Sequence, residues 1–157
     1  MGAFKMRGAV NAIHDLDPEQ RKRGVVTHSS GNFGQAVALA AKLMGLKADV
    51  VMPLGTPKVK RDAVINYGAK VTDCDPNLAA RESATRLIVE NTGATALHPS
   101  NSLPVILGNA TAAMELLEEV TDLDSVLCPV GGGGLLAGTA LAALYFGQQC
   151  QCWGAEP

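Results

Sequence analysis

The sequence predicts an α/β fold built from open, mostly parallel sheets with helices on both faces. Three observations carry this. Short apolar runs alternate along the chain with segments of helical periodicity. Successive helical segments close on a glycine, at Gly45, Gly68 and Gly93, where a left-handed cap costs little. Of the 157 residues, 47% are apolar and only 18% charged, a balance that suits strands covered on both faces.

The elements follow in order. Phe4 or Met6, Val10 and Ile13 stand at helical spacing, which predicts a helix from about Lys5 to Leu16. Asp17-Pro18-Glu19-Gln20 supplies a cap, a proline at the first helical position and an acidic first turn, so a short second helix ends near Gly24. A strand over Val25–Thr27 leads to a helix over Asn32–Met44, then to a strand over Ala48–Met52, with a right-handed crossover expected. Thr56-Pro57 is expected to cap a helix that runs to Tyr67. A strand over Ala69–Thr72, a helix from about Asn77 to Asn91 and a strand over Thr95–Leu97 come next. After the turn-forming His98-Pro99-Ser100-Asn101-Ser102, a helix over Leu103–Val120 leads into a strand over Ser125–Val130. Four glycines, another helix and a last strand around Cys150–Ala155 follow.

Composition excludes several partners. A net charge of −2 and an isoelectric point near 5.9 offer no footprint for nucleic acid or an anionic membrane. The longest near-apolar run, Leu135–Phe146, is too short to cross a bilayer. Met1-Gly2 lacks the Ser or Thr that myristoylation wants at the sixth position, and no signal peptide is visible, so a soluble, cytoplasmic protein is expected. Cys74, Cys128, Cys150 and Cys152 read as reduced, buried thiols. Cys150 and Cys152 share one strand face but have no second ligand pair nearby.

Three stretches carry chemistry. Thr27-His28-Ser29-Ser30-Gly31-Asn32-Phe33-Gly34-Gln35 sits where a strand's carboxyl end meets a helix's amino end, the usual place for ligands in an α/β sheet. Two hydroxyls, a carboxamide and two glycines exceed what a cap requires, although an over-decorated N-cap is the plain alternative. Gly131-Gly132-Gly133-Gly134 lies between a strand and a helix; composition alone gives such a run a probability of about 0.02. Four consecutive glycines make sense where backbone N–H groups must approach a ligand, most plausibly a phosphate, and a structural loop is the other reading. Lys5, among apolar neighbours near a helix start, is either a snorkelling surface residue or an amine that forms an imine with an aldehyde cofactor. His28 and His98 have no nucleophile or metal partner in sequence and read as structural.

Together, Phe4-Lys5-Met6-Arg7-Gly8-Ala9, Ser29-Ser30-Gly31-Asn32-Phe33-Gly34-Gln35 and Val130-Gly131-Gly132-Gly133-Gly134-Leu135-Leu136-Ala137-Gly138 resemble the pyridoxal-phosphate enzymes of the tryptophan-synthase-β type. Within that type the resemblance is to the serine racemase and serine/threonine dehydratase group. It implies pyridoxal 5'-phosphate as cofactor and serine, threonine or hydroxyaspartate as substrate. Lys5 would hold the cofactor, Phe4 would pack beside its ring and Asn32 would bond its phenolic oxygen. Gly131, Gly132, Gly133 and Gly134 would cradle its phosphate. Ser30 would be the acid/base on the face opposite Lys5, with Ser29, Ser30, Asn32 and Arg81 meeting the substrate carboxylate. Gln35 and Tyr67 fall where animal serine racemases bind a nucleotide, and Glu156 where a Mg2+ or Ca2+ site begins.

This sequence departs from the group's pattern in three ways. Phe33 replaces a usual histidine, Ser100 replaces a frequent asparagine near the phosphate, and the family is about twice this length. The resemblance therefore implies a fragment or truncated product of an enzyme that is a homodimer when whole. It divides the chain into a partial large domain over 1–23, a complete small domain over 24–103 and more of the large domain over 104–157. The competing expectation is a non-catalytic phosphate-binding or interaction fragment of the same fold.

Overall fold

The computed structural model describes residues 2–156. Strands β1 (Val25–His28), β2 (Ala48–Pro53), β3 (Lys70–Cys74) and β4 (Thr95–Ala96) form one sheet in the order β3-β2-β1-β4. Every pairing is parallel, with Val25 opposite both Ala48 and Thr95, and Asp49 opposite Lys70. Parallel neighbours need crossovers, and α3 (Asn32–Leu43), α4 (Lys58–Asn66) and α5 (Leu78–Thr92) supply them.

The two-residue period of a strand sorts these helices onto two faces. Val25 packs with Phe33, Ala36, Val37 and Ala40 of α3, and Val50 with Ala38 of α3 and Val64 of α4. Val26 and Val51 turn the other way, against Ala80, Ala84, Ile88 and Val89 of α5. The chain moves outward from β1 to β3 on one face and returns beneath the other to place β4 on the far side of β1. The strand order therefore reverses between β1 and β4, and the crevice beyond their carboxyl ends is the place such sheets reserve for ligands.

A second, two-stranded parallel sheet pairs β5 (Ser125–Pro129) with β6 (Gln151–Ala155), joined through α7 (Gly134–Phe146). Helix α6 (Leu103–Glu119) packs on α7 through a cluster of Ala113, Leu117 and Ala142. Helix α1 (Lys5–His14) lies against both α3 and α6, so it joins the layers of the two sheets. Its approach to α6 requires glycine on both sides. A Cβ on Gly8 would sit 2.6 Å from Asn109 Oδ1 and 2.8 Å from the Val105 carbonyl oxygen. One on Gly108 would overlap the Arg7 carbonyl oxygen and reach within 2.7 Å of Gly8 Cα. Arg7 clamps the same crossing, donating from Nη1 and Nη2 to the two carboxylate oxygens of Glu115, each at 2.6 Å.

Several expectations shift in detail. Helix α1 ends at His14, two residues before Leu16, and α2 (Pro18–Arg23) starts after a full capping box between Asp17 and Gln20. Thr56 is not the cap of α4: its hydroxyl donates to the Pro53 carbonyl at 2.7 Å and the cap position is Pro57. Cys74 and Cys128 are buried thiols as expected, whereas Cys150 and Cys152 are partly exposed; all four are free. Burial raises the Cys74 and Cys152 thiols above their ordinary pKa. Among the described residues no helix is long and apolar enough to cross a membrane.

Candidate active site

The site is built from the turns that follow β1, β4 and β5, together with the first residue of α1. Thr27 ties the first two of these together, since its buried hydroxyl donates to the Leu97 carbonyl at 2.7 Å. Beyond Leu97 the chain turns sharply. His98 Nδ1 accepts the N–H groups of Ser100 at 3.2 Å and Asn101 at 2.7 Å, and the His98 and His28 rings make a T-shaped contact at 5.7 Å between centroids.

This turn presents the Pro99 carbonyl to Lys5, whose Nζ donates to it at 2.6 Å. The amine also lies 5.0 Å from the Phe4 ring centre and 5.7 Å from that of Phe33, which is itself buried. Half withdrawn from water, Lys5 has its pKa lowered by desolvation.

The glycine run separates into three roles. Cβ atoms on Gly132 and Gly134 would meet Ser100, at 2.5 Å from its Oγ and 2.8 Å from its Cα, so these two glycines admit the β4 turn. Gly133 has φ of 80° and caps α7 without any side-chain hydrogen bond. Gly131 faces open space. The loop is thus partly structural, yet it leaves the start of α7 without a side-chain cap beside a cavity of about 280 Å³. Phe4, Lys5 and all four glycines line that cavity. The amine and the glycine loop therefore converge on one space.

Ser29, Ser30 and Asn32 stand at the turn after β1. The cap of α3 is Gly31, with no side-chain cap bond, so the polar residues are not spent on capping. Ser29 Oγ accepts the Gly31 N–H at 3.2 Å, and the side chains of Ser30 and Asn32 make no hydrogen bond among the described residues. Arg81, in the first turn of α5, is close enough to His28 and Cys74 to act on both by charge, and its buried Nε has no partner among the described residues. His28 is held below its ordinary pKa by burial first, then by His98 and Arg81, against the opposing pull of Glu82.

Ser29, Ser30, Asn32 and Arg81 do not line the cavity that Lys5 and the glycines share, and the other expected residues lie apart from it as well. Gln35 is partly buried on α3, and Tyr67 caps α4 while packing on the cluster of Ala38, Val50 and Val64; no hydrogen bond joins the two. Glu156 is exposed after β6, and among the described residues no three His, Cys, Asp or Glu side chains cluster as metal ligands. Sequence reasoning missed Pro99 as the lysine's acceptor and His98 as the holder of its turn. The only signal was the turn-forming run after β4, and its weight depends on strand order.

The sequence profile described as "Pyridoxal-phosphate dependent enzyme" matches residues 1–157. The chain belongs to this family. A serine racemase of Dictyostelium discoideum is 49% identical over 156 residues, which cover 99% of this chain and 48% of that protein. A beta-hydroxyaspartate dehydratase of Paracoccus denitrificans is 43% identical over 156 residues, covering 99% and 50% respectively. Among solved structures, the processed form of threonine deaminase isoform 2 from Solanum lycopersicum superposes with a TM-score of 0.92 at 35% identity, covering 99% of this chain and 45% of that one. The chain thus spans about half the length of the relatives it matches, and it shares their mixed α/β, parallel-sheet fold. Its residues also fit the family's cofactor: an amine of lowered pKa for the aldehyde, and a helix start without a side-chain cap and with open space for the phosphate.

Proposed function

We propose that this chain carries the cofactor-binding half of a pyridoxal-phosphate-dependent amino-acid racemase or ammonia-lyase acting on serine, threonine or hydroxyaspartate. The observation that supports it is the shared cavity, in which the Lys5 amine and the Gly131–Gly134 loop face one space. When bound, pyridoxal phosphate withdraws electrons from the substrate's Cα and so makes its proton removable.

The chain's own residues supply the rest. Lys5 holds the cofactor and moves the Cα proton on one face; its lowered pKa favours the neutral amine both tasks need. Phe4 would pack beside the ring, Asn32 would bond its phenolic oxygen and the glycine loop would hold the phosphate. Ser29, Ser30, Asn32 and Arg81 orient the substrate carboxylate, and Ser30 returns a proton on the opposite face. With Lys5 as the only base, loss of the β-hydroxyl leads to a keto acid and ammonia; with Ser30 active, the opposite enantiomer forms.

In the whole protein, residues 24–103 are proposed as the small domain, and 1–23 with 104–157 as parts of the large one. A homodimer, a cytoplasmic location, a nucleotide site at Gln35 and Tyr67, and a Mg2+ or Ca2+ site that starts at Glu156 with its other ligands from elsewhere complete the proposal. Adding pyridoxal phosphate tests its centre. A visible absorption band is expected that Lys5→Ala abolishes and the exposed Lys60→Ala retains. Phosphate affinity without any Lys5-dependent band would instead support a phosphate-binding fragment. In the whole protein, chiral analysis of serine with Ser30→Ala separates racemisation from elimination.

A further inference from the structure

The imidazole of His98 opens the turn after β4 and stands beside His28 at the end of β1; it lines a separate cavity from the one that holds Lys5, and no role in the proposed chemistry falls to it. Its Nδ1 accepts two backbone N–H groups, from Ser100 at 3.2 Å and Asn101 at 2.7 Å. A nitrogen that accepts cannot carry a proton, so the ring must hold its hydrogen on Nε2. Each residue of the turn it closes then has a partner in the site. Pro99 offers its carbonyl to Lys5 Nζ at 2.6 Å. Ser100 fills the space that Cβ atoms on Gly132 and Gly134 would need. The ring also makes a T-shaped contact with His28, which precedes Ser29 and Ser30 at the end of β1.

Turns of this kind are ordinarily closed by the oxygen of Asp, Asn or Ser two residues back. Those side chains could accept the amides but could not also span 5.7 Å to a second ring. An imidazole does both, and so fixes the β4 turn relative to the β1 turn as well as within itself. We propose that His98, in its Nε2–H form, is a positioning residue that seats the Lys5 amine against the Pro99 carbonyl and locks Ser100 against the glycine loop. The inference rests on Lys5 being the cofactor lysine, but its structural core does not require cofactor.

The test uses this chain as it is. Ring 15N spectra of the wild-type protein at neutral pH should show His98 Nδ1 as the unprotonated, accepting nitrogen; a proton on Nδ1 overturns the proposal without any variant. His98→Ala should shift the backbone amides of Ser100, Asn101 and Gly132. It should also move the Lys5 ε-CH2 titration upward, toward that of a solvated lysine, and slow the Lys5-dependent pyridoxal-phosphate band about tenfold or more. His98→Asn, whose Oδ1 reaches the same two amides, should restore the amide shifts and most of the Lys5 titration, a rescue that a purely space-filling histidine would not give. Unchanged amides and an unchanged Lys5 titration in a folded His98→Ala protein sink the idea. If the wild type forms no Lys5-dependent band, the cofactor reading fails, while the ring, amide and titration results still decide the role of His98.

Discussion

At the scale of single residues, the lysine and the glycines make the sharpest claims. Burial lowers the Lys5 pKa, so the unfolded chain binds the extra proton over the window between the folded and unfolded values. Stability therefore rises with pH through that window, and the neutral amine becomes available at lower pH than on a surface lysine. The band formed with pyridoxal phosphate should accordingly persist to lower pH than the imine a free alkylamine forms with the same aldehyde, as followed by absorbance. The glycines divide by what surrounds them. Gly134→Ala places a Cβ 2.8 Å from both the Cα and the carbonyl oxygen of Ser100, backbone atoms that cannot rotate away. Overpacking of that kind costs roughly 1–3 kcal/mol, so its thermal midpoint should fall, whereas Gly131→Ala, facing open space, should melt near the wild type. From the sequence all four glycines read alike. Only their neighbours distinguish them, and those neighbours come from a turn thirty residues earlier.

Among the elements, the crossing of α1 and α6 sets where Lys5 points. Gly8 and Gly108 bring the two backbones together, and Gly108→Ala would force α1 outward by pushing on the Arg7 carbonyl. The expected result is a loss of about 1–3 kcal/mol of stability together with weaker pyridoxal-phosphate binding, even though Gly108 lines no part of the cavity that Lys5 and the glycine loop line; denaturant melts and a titration of the band measure the two. The Arg7–Glu115 clamp on the same crossing adds a pH dependence. The hydrogen bond from Arg7 holds the Glu115 carboxyl below its ordinary pKa, so its contribution is present above the unfolded value and is lost as pH falls through the folded one. Both side chains reach solvent, so Glu115→Gln should mainly flatten the acid side of the stability profile.

Element boundaries were legible wherever one residue must satisfy one backbone group. Asp17 and Gln20 close a capping box, and Gly93 caps α5 at φ of 69°. Thr56 misled because its hydroxyl has a competing local acceptor in Pro53, a choice that spacing alone does not reveal.

For the molecule as a whole, the convergence of Lys5 with the glycine loop follows from topology. It requires strand order to reverse at β1, and α1 to lie between α3 and α6. Alternation of strands and helices predicts the class of fold; it says nothing of which strand is central, so Pro99 and His98 were invisible as site residues. The same topology leaves apolar surface bare. Helix α7 packs on β5 and β6, while Leu127 and Trp153 in those strands are 73% and 56% exposed, and Leu144 and Tyr145 on α7 are 73% and 76% exposed. Fully burying an aliphatic or aromatic side chain of this size is worth roughly 1.5–3 kcal/mol, so several left exposed favour association wherever a complementary surface exists. The relatives are about twice as long as this chain. Alone in solution, this chain should therefore bind an apolar dye and show a concentration-dependent rise in mass by sedimentation. Leu127→Glu should lessen both while leaving the Lys5-dependent band in place, because Leu127 lies outside the cavity that Lys5 and the glycine loop line. A monodisperse monomer that binds no dye would mean that the bare face is satisfied within the chain, and the need for a covering partner would disappear with it.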